Sequence, residues 1–152
     1  MTGTRRDLPQ LLGEARRWFE EGLLAALAAD GVAAVTPPQI QLFAALDEDG
    51  TTVAELARRT GVTRQTVHQS VHTLVAAGLL EQVPDPSSVR QRLIVRTADG
   101  RRAHERARRA VDGLERRLAD RIGAEAVAAL RSALEAPWGE PPAGPVSRPP
   151  RR

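Results

Sequence analysis

Between Arg64 and Leu80 the chain carries no acidic residue, yet Arg64, Gln65, Thr66, His68, Gln69 and His72 put hydrogen-bonding side chains there in close succession. Gln and Arg are the side chains able to pair bidentately with adenine and guanine edges in a DNA major groove. A merely solvated helix face ordinarily mixes Glu with Lys or Arg, so the missing acids point to a polyanionic partner. His68 and His72 stand four apart, a spacing that can hold a metal ion on one helical face. With no Cys in the chain and no acid beside them, metal ligation is not expected, and neither is a cofactor. There is no glycine-rich phosphate loop, serine elbow or convincing acid–base pair, so the sequence reads as a non-enzyme.

The elements that must position these residues are marked by caps and periodicity. Leu8, Leu12, Ala15, Phe19, Leu23 and Ala26 recur at steps of four and three, predicting a helix over 7–29 that Gly31 ends. Thr36-Pro37-Pro38-Gln39 has the form of a capping box with Pro at the first helical position. The helix it opens runs through Ile40, Phe43 and Leu46. Thr52-Val53-Ala54-Glu55 reads as a second box, opening a short helix to Thr60 that Gly61 stops. Thr63 can cap the next helix, from Arg64 to about Ala77, with Gly78 at its end. Val67, Val71 and Leu74 turn one face of it to a core shared with Leu56 and Val62, while Ala57 lets the two helices approach closely. This pair is a helix-turn-helix.

Two strand-like stretches follow, Leu79–Val83 and Arg92–Arg96, with Pro84-Asp85-Pro86-Ser87-Ser88 as the loop between them. Arg90, Gln91 and Arg92 give the hairpin a basic edge suited to flanking phosphates or a minor groove. Thr97 then caps a long helix striped with Ala103, Ala107, Val111, Leu114, Leu118 and Ile122. Gly123 breaks it before a last short helix through Val127, Leu130 and Leu134. His104 is read as a surface residue. The fold class is therefore mainly α with a small β-hairpin wing, a winged helix-turn-helix.

Composition agrees with one small helical domain. The chain has 152 residues, 41% hydrophobic, with aromatics at only 3%, so its core is built from Leu, Val and Ala. All 22 basic residues are Arg, and the formal net charge of +3 is unevenly spread. Residues 1–50 carry 4 Arg against 8 acids, residues 51–110 carry 11 against 5, and residues 111–152 carry 7 against 6. A basic centre is what a phosphate-binding segment would show. No apolar run approaches the roughly 20 residues of a membrane span, and Met1–Pro9 lacks a signal-peptide core, so a cytoplasmic protein with no membrane partner is expected.

The residues Val53-Ala54-Glu55-Leu56-Ala57, Gly61-Val62-Thr63-Arg64-Gln65, Leu74-Val75 with Gly78-Leu79, Asp85-Pro86 followed by Arg90, and Thr97 with Gly100 resemble the MarR family of regulators. The resemblance covers about residues 8–135. It implies a triangular homodimer that binds a palindromic site on double-stranded DNA, the helix at 63–77 reading bases and the wing near Arg90 anchoring. By family analogy the expected sign of regulation is repression. A pocket between the dimer helices and the winged domain is also implied, with Trp18, Phe19 and Phe43 as candidate wall residues and its other lining residues unassigned. Without Cys, thiol oxidation is excluded as a signal, leaving a small organic ligand or no effector at all. One departure stands out. The family's wing commonly carries Asp-x-Arg, where this chain has Ser88-Val89-Arg90, with Asp85 as a substitute brace for the Arg.

The expected organisation is one domain over 1–135, with dimerisation helices at 7–29 and 98–135, the winged helix-turn-helix at 37–97, and a disordered Pro/Arg-rich tail at 136–152. Leu8, Leu11, Leu12, Leu114, Leu118, Ile122, Leu130 and Leu134 are the candidate dimer contacts, because those stripes are too long for one small wing domain to cover. Thr63, Arg64, Gln65, Thr66, His68, Gln69, His72, Arg90 and Arg92 are the candidate DNA contacts. The competing expectation is a winged-helix module that docks a protein and binds no specific DNA. Such a surface normally exposes apolar or aromatic anchors, which this helix face lacks.

Overall fold

The computed structural model describes residues 5–32 and 35–144. Six helices and one hairpin follow in the order α1 (Leu8–Ala29), α2 (Pro37–Ala44), α3 (Val53–Thr60), α4 (Arg64–Ala76), β1 (Leu80–Asp85), β2 (Ser88–Arg96), α5 (Ala98–Ile122) and α6 (Ala124–Glu135). The chain divides at Leu114/Glu115 into two compact units. The disorder expected over 136–152 falls partly outside the described residues; within them, 136–144 form no helix or strand.

Caps explain where the helices begin. The Asp7 carboxylate accepts from the Gln10 N–H, and Pro9 occupies the first turn of α1. At α2 both halves of the box form, Thr36 Oγ1 accepting from Gln39 N–H and Gln39 Oε1 accepting from Thr36 N–H. At α3 only half of the expected box forms. Thr52 Oγ1 accepts from Glu55 N–H, but the Glu55 carboxylate turns instead to Arg58 and Arg59, because two guanidinium partners outcompete one neutral amide. Gly61, at φ 69°, ends α3 in the left-handed region that a residue with a Cβ rarely adopts.

The core of the first unit lies among α2, α3, α4 and the hairpin. Leu42, Leu46, Leu56, Val67, Val71, Leu74, Leu80 and Ile94 are all buried, with Ala57 at the contact of α3 with α4. Val62 does not join them. It is 37% exposed, because the turn that Gly61 makes carries the following residue outward before Thr63 restarts the chain as a helix.

The hairpin strands are longer than their hydrophobic cores suggested, leaving Pro86 and Ser87 as the turn in place of a five-residue loop. They pair antiparallel from Leu80↔Arg96 to Asp85↔Ser88, with an irregularity at Pro84/Asp85. Asp85 Oδ1 accepts from both the backbone N–H and the hydroxyl of Ser87, which closes the turn tightly. The other edge of β2 is met by Thr51, whose N–H and C=O pair with Ile94, so the wing is anchored to the segment just before α3.

Candidate nucleic-acid interface

α4 is held by one face and free on the other. Val67, Val71 and Leu74 are at most 2% exposed, whereas Arg64, Gln65, His68, Gln69 and His72 point to solvent. The split follows from the 3.6-residue period: anchoring three positions in the core fixes where the remaining side chains point. Thr63 holds the start of the helix, its Oγ1 accepting from Thr66 N–H at 3.1 Å and lying 2.9 Å from Thr66 Oγ1. Thr66 is thus half-buried in its own cap. The exposed face has no ion pair among the described residues, leaving its donors open to an outside partner.

Behind α4 the ion pairs are dense. Arg59 forms a bidentate contact with Asp47, bonds Glu55, and donates to the Ala45 carbonyl at the end of α2. Hydrogen bonds from Arg58 and then Arg59 pull the Glu55 carboxyl from its ordinary 4.5 down to about 2, and the Arg59 bond lowers Asp47 as well. These cations are committed inside the protein. They lock α2 to α3, and through α3 the base on which α4 sits.

Arg96 does similar work from the wing, in a role that nothing in its local sequence signals. It is 8% exposed and has no carboxylate partner among the described residues. Its Nη2 donates to Phe43 O at 2.7 Å and Leu46 O at 3.0 Å, and its guanidinium lies 5.3 Å from the Phe43 ring centroid. The negative end of α2 thereby receives a cation, while Nε is left without a partner. Burial disfavours the Arg96 charge, with Glu48 and Asp47 pulling the other way.

On the wing, Arg90 is exposed and unpaired among the described residues, and Val89 beside it stands fully in solvent. Asp85 does not brace Arg90. Its carboxylate is taken by Ser87, whose hydroxyl and backbone bonds hold it below the usual carboxylate range. Ser88 makes no side-chain bond to Arg90 either. Arg92 reaches back to donate to Gln82 O at 3.3 Å.

A cavity of about 230 Å³ opens behind the helix-turn-helix, walled by Leu23 and Leu27 of α1, Ile40 and Phe43 of α2, Leu74 of α4 and His104 of α5. Of the three aromatic residues considered as walls, Phe43 lines it; Trp18 and Phe19 pack edge to face with each other, 4.9 Å between centroids, and do not. His104 is half-buried with its ring centroid 6.1 Å from that of Phe43, so it is a cavity residue and not a surface one. Burial lowers its pKa, and Arg96 and Arg108 push the same way against Glu105 and Glu48. Its role was hidden because Phe43 lies far away in sequence.

The expected dimer contacts divide by exposure. Leu8, Leu11, Ile122, Leu130 and Leu134 are exposed at 61%, 38%, 50%, 42% and 46%, while Leu12, Leu114 and Leu118 are half-buried. None of the α6 residues is buried. Among the described residues no cluster of three or more His, Cys, Asp or Glu could hold a metal, and no helix is long and apolar enough to cross a membrane.

This arrangement has known counterparts. The sequence profile of the MarR family matches residues 35–91. An uncharacterized protein of Mycobacterium tuberculosis is 34% identical over 99 residues, spanning 65% of this chain and 69% of its own length. A MarR-family transcriptional regulator from Rhodococcus sp. RHA1 superposes with a TM-score of 0.73 at 22% identity, over 89% of this chain and 94% of that one. The transcriptional repressor CouR, solved on a 23-mer DNA duplex, gives 0.71 at 28% identity, over 84% and 89%. A Mycobacterium tuberculosis MarR-family protein in complex with salicylic acid gives 0.65 at 28% identity, over 86% and 95%. With its helix-turn-helix and most of its wing matched by the family profile, and its flanking helices matched in fold by solved regulators, the chain belongs to the MarR family of winged helix-turn-helix transcription regulators.

Proposed function

We propose that the protein is a homodimeric repressor that binds a palindromic operator through α4 and the wing and is released by a small organic ligand. The observation that carries this reading is the exposed, acid-free face of α4, set rigidly on the core by Val67, Val71 and Leu74. Gln65 and Gln69, one turn apart, suit adenine edges; Arg64 suits guanine or a phosphate. His68 and His72 add donors along the same face, with Thr63 and Thr66 fixing the helix start. Arg90 and Arg92 supply charge from the wing. A dimer presents two such helices about one turn of DNA apart, which is why a palindrome is the expected target.

The dimer is supported by the uncovered leucines of α1 and α6 and by Ile122 at the end of α5. Burying a Leu side chain stabilises by about 1.5–3 kcal/mol, so five exposed Leu and Ile positions favour a partner surface over water. A second copy is the natural partner for a family of symmetric DNA readers. The ligand reading rests on the cavity. An apolar cavity of about 150 Å³ suffices for benzene, so this one has room for a slightly larger organic molecule. Because Leu74 belongs to both the α4 core face and the cavity wall, an occupant that moves Leu74 moves the reading helix.

A gel-shift titration against the DNA upstream of the protein's own gene, at two salt concentrations with unrelated competitor, tests the regulator. Competitor-resistant binding to a palindrome is expected, with Gln65→Ala relaxing sequence choice. Binding that fades equally on every sequence as salt rises would leave only a charge effect and refute specific recognition.

A further inference from the structure

A groove runs between α4 and the first wing strand, lined by Gln65, His68, Gln69, His72, Val75 and Gln82. Gln65 and Gln69 belong to the face already assigned to bases. Val75 and Gln82 do not, and nothing in the fold requires an exposed amide and an exposed Val to share this groove. The geometry of a winged helix on DNA does. With α4 in a major groove and the hairpin tip at the next minor groove, the sugar–phosphate strand that separates the two grooves has to pass between α4 and β1.

We infer that this groove seats that sugar–phosphate strand, with the Gln82 carboxamide donating to a phosphate oxygen and positioning the duplex between helix and wing. This rests on the reading of α4 as the DNA-contacting helix. Three features fit a phosphate-bearing occupant. No carboxylate lines the groove: Glu81 lies on the opposite face of β1, because neighbouring side chains of a strand alternate. Arg92 folds back to donate to the Gln82 carbonyl at 3.3 Å, which brings a guanidinium to this end of the groove. Val75, 39% exposed, gives the apolar wall that a deoxyribose ring can pack on.

Gln82 is uncharged, and this separates its contribution from that of the arginines. Releasing counterions requires a cation, so removing Arg90 or Arg92 changes the salt dependence of binding, whereas removing Gln82 does not. A phosphate contact also carries no sequence information, so its loss is felt on every duplex. Gln82 is exposed although it shares a face of β1 with Leu80 and lies opposite Ile94, so its replacement trims a surface amide and leaves both buried side chains unchanged.

Fluorescence anisotropy of the full chain, titrated against its upstream DNA and an unrelated duplex of equal length over a range of salt, tests the assignment. Gln82→Ala is expected to weaken both duplexes by about three- to tenfold per half-site with an unchanged salt slope. Gln82→Arg is expected to tighten both and to steepen the slope by about one per half-site. Unchanged affinity for Gln82→Ala, a loss confined to the upstream DNA, or an unchanged slope for Gln82→Arg would each overturn the phosphate role. A wild-type chain that bound neither duplex would overturn the regulator reading itself, a result distinct from these three.

Discussion

Gly100→Ala adds one carbon at the tightest point of the wing domain. A Cβ there would lie 2.0 Å from Leu79 O, 3.0 Å from Leu79 C and 3.3 Å from Arg96 Cβ. Two of these neighbours are backbone atoms, so no side-chain rotation relieves the clash, and α5 or the Leu79 peptide must retreat by about 1 Å or more. That retreat strains two bonds that pin the start of α5 to the turn between α4 and β1, Thr97 N–H to Leu79 O at 3.1 Å and Thr97 hydroxyl to Gly78 O at 2.6 Å, and the cap bond of α5 itself, Gly100 N–H to Thr97 Oγ1 at 3.0 Å. Overpacking costs about 1–3 kcal/mol and a weakened cap about 1, against about 1 regained from the better helix propensity of Ala. The net loss of about 1–3 kcal/mol corresponds to a Tm lower by roughly 3–10 °C for a chain of this size. Gly13→Ala is the matched control: it also lies inside a helix, but nothing lies within 4 Å of its built Cβ, so it should raise Tm by about 2 °C. Circular-dichroism melts of both variants at one fixed protein concentration measure the difference. If Gly100→Ala melted at or above wild type, the close approach of α5 to Leu79 would be refuted.

Three further outcomes follow from other parts of the molecule. Thr63→Ala removes the acceptor for Thr66 N–H and should cost about 1 kcal/mol in chemical denaturation, with Thr63→Ser restoring most of it. Glu55 is held below its ordinary pKa by Arg58 and Arg59, so its stabilisation is present above about 4.5 and is lost as pH falls toward about 2, and Asp47, lowered by Arg59, adds in the same direction; Glu55→Gln should flatten the acid limb of a pH–Tm profile, and an unaltered limb would contradict it. Leu130→Glu combined with Leu134→Glu should convert a dimer to a monomer in sedimentation velocity, since a charge on each would have to be desolvated in the interface; a dimer that persisted would move the contact away from α6.

What could be read from the sequence was what depends on neighbours in the chain. Caps at Thr36 and Thr63, the stop at Gly61 and the periodic core face of α4 are each decided within a few residues, and each stands where it was expected. Competition between partners was not legible. Glu55 had the right spacing for a capping box but faces two arginines that outbid the backbone. Nor were contacts between distant segments. Arg96 looked like one more strand residue, and only the folded chain brings it to the carbonyls of Phe43 and Leu46. His104 looked exposed on a helix rich in arginine until Phe43 came to face it.

The two halves of the surface proposed to face DNA therefore differ in how ready they are. The α4 face is fixed before any partner arrives, because its opposite face is sealed in the core and its first turn is capped. Arg90 is not fixed: the carboxylate that stood nearest in sequence closes the hairpin turn with Ser87 and leaves the guanidinium in solvent. Ordering a long unbraced side chain on binding costs about 1.5–2 kcal/mol of rotamer entropy, which offsets much of what one phosphate contact returns. On the proposed mode of binding, selectivity should accordingly reside in α4, with the wing contributing mainly charge, and a brace at position 88 is the substitution that would shift the balance. Ser88→Asp places a carboxylate two residues before Arg90, on the same face of β2, where it can hold the guanidinium in place without adding a contact to DNA.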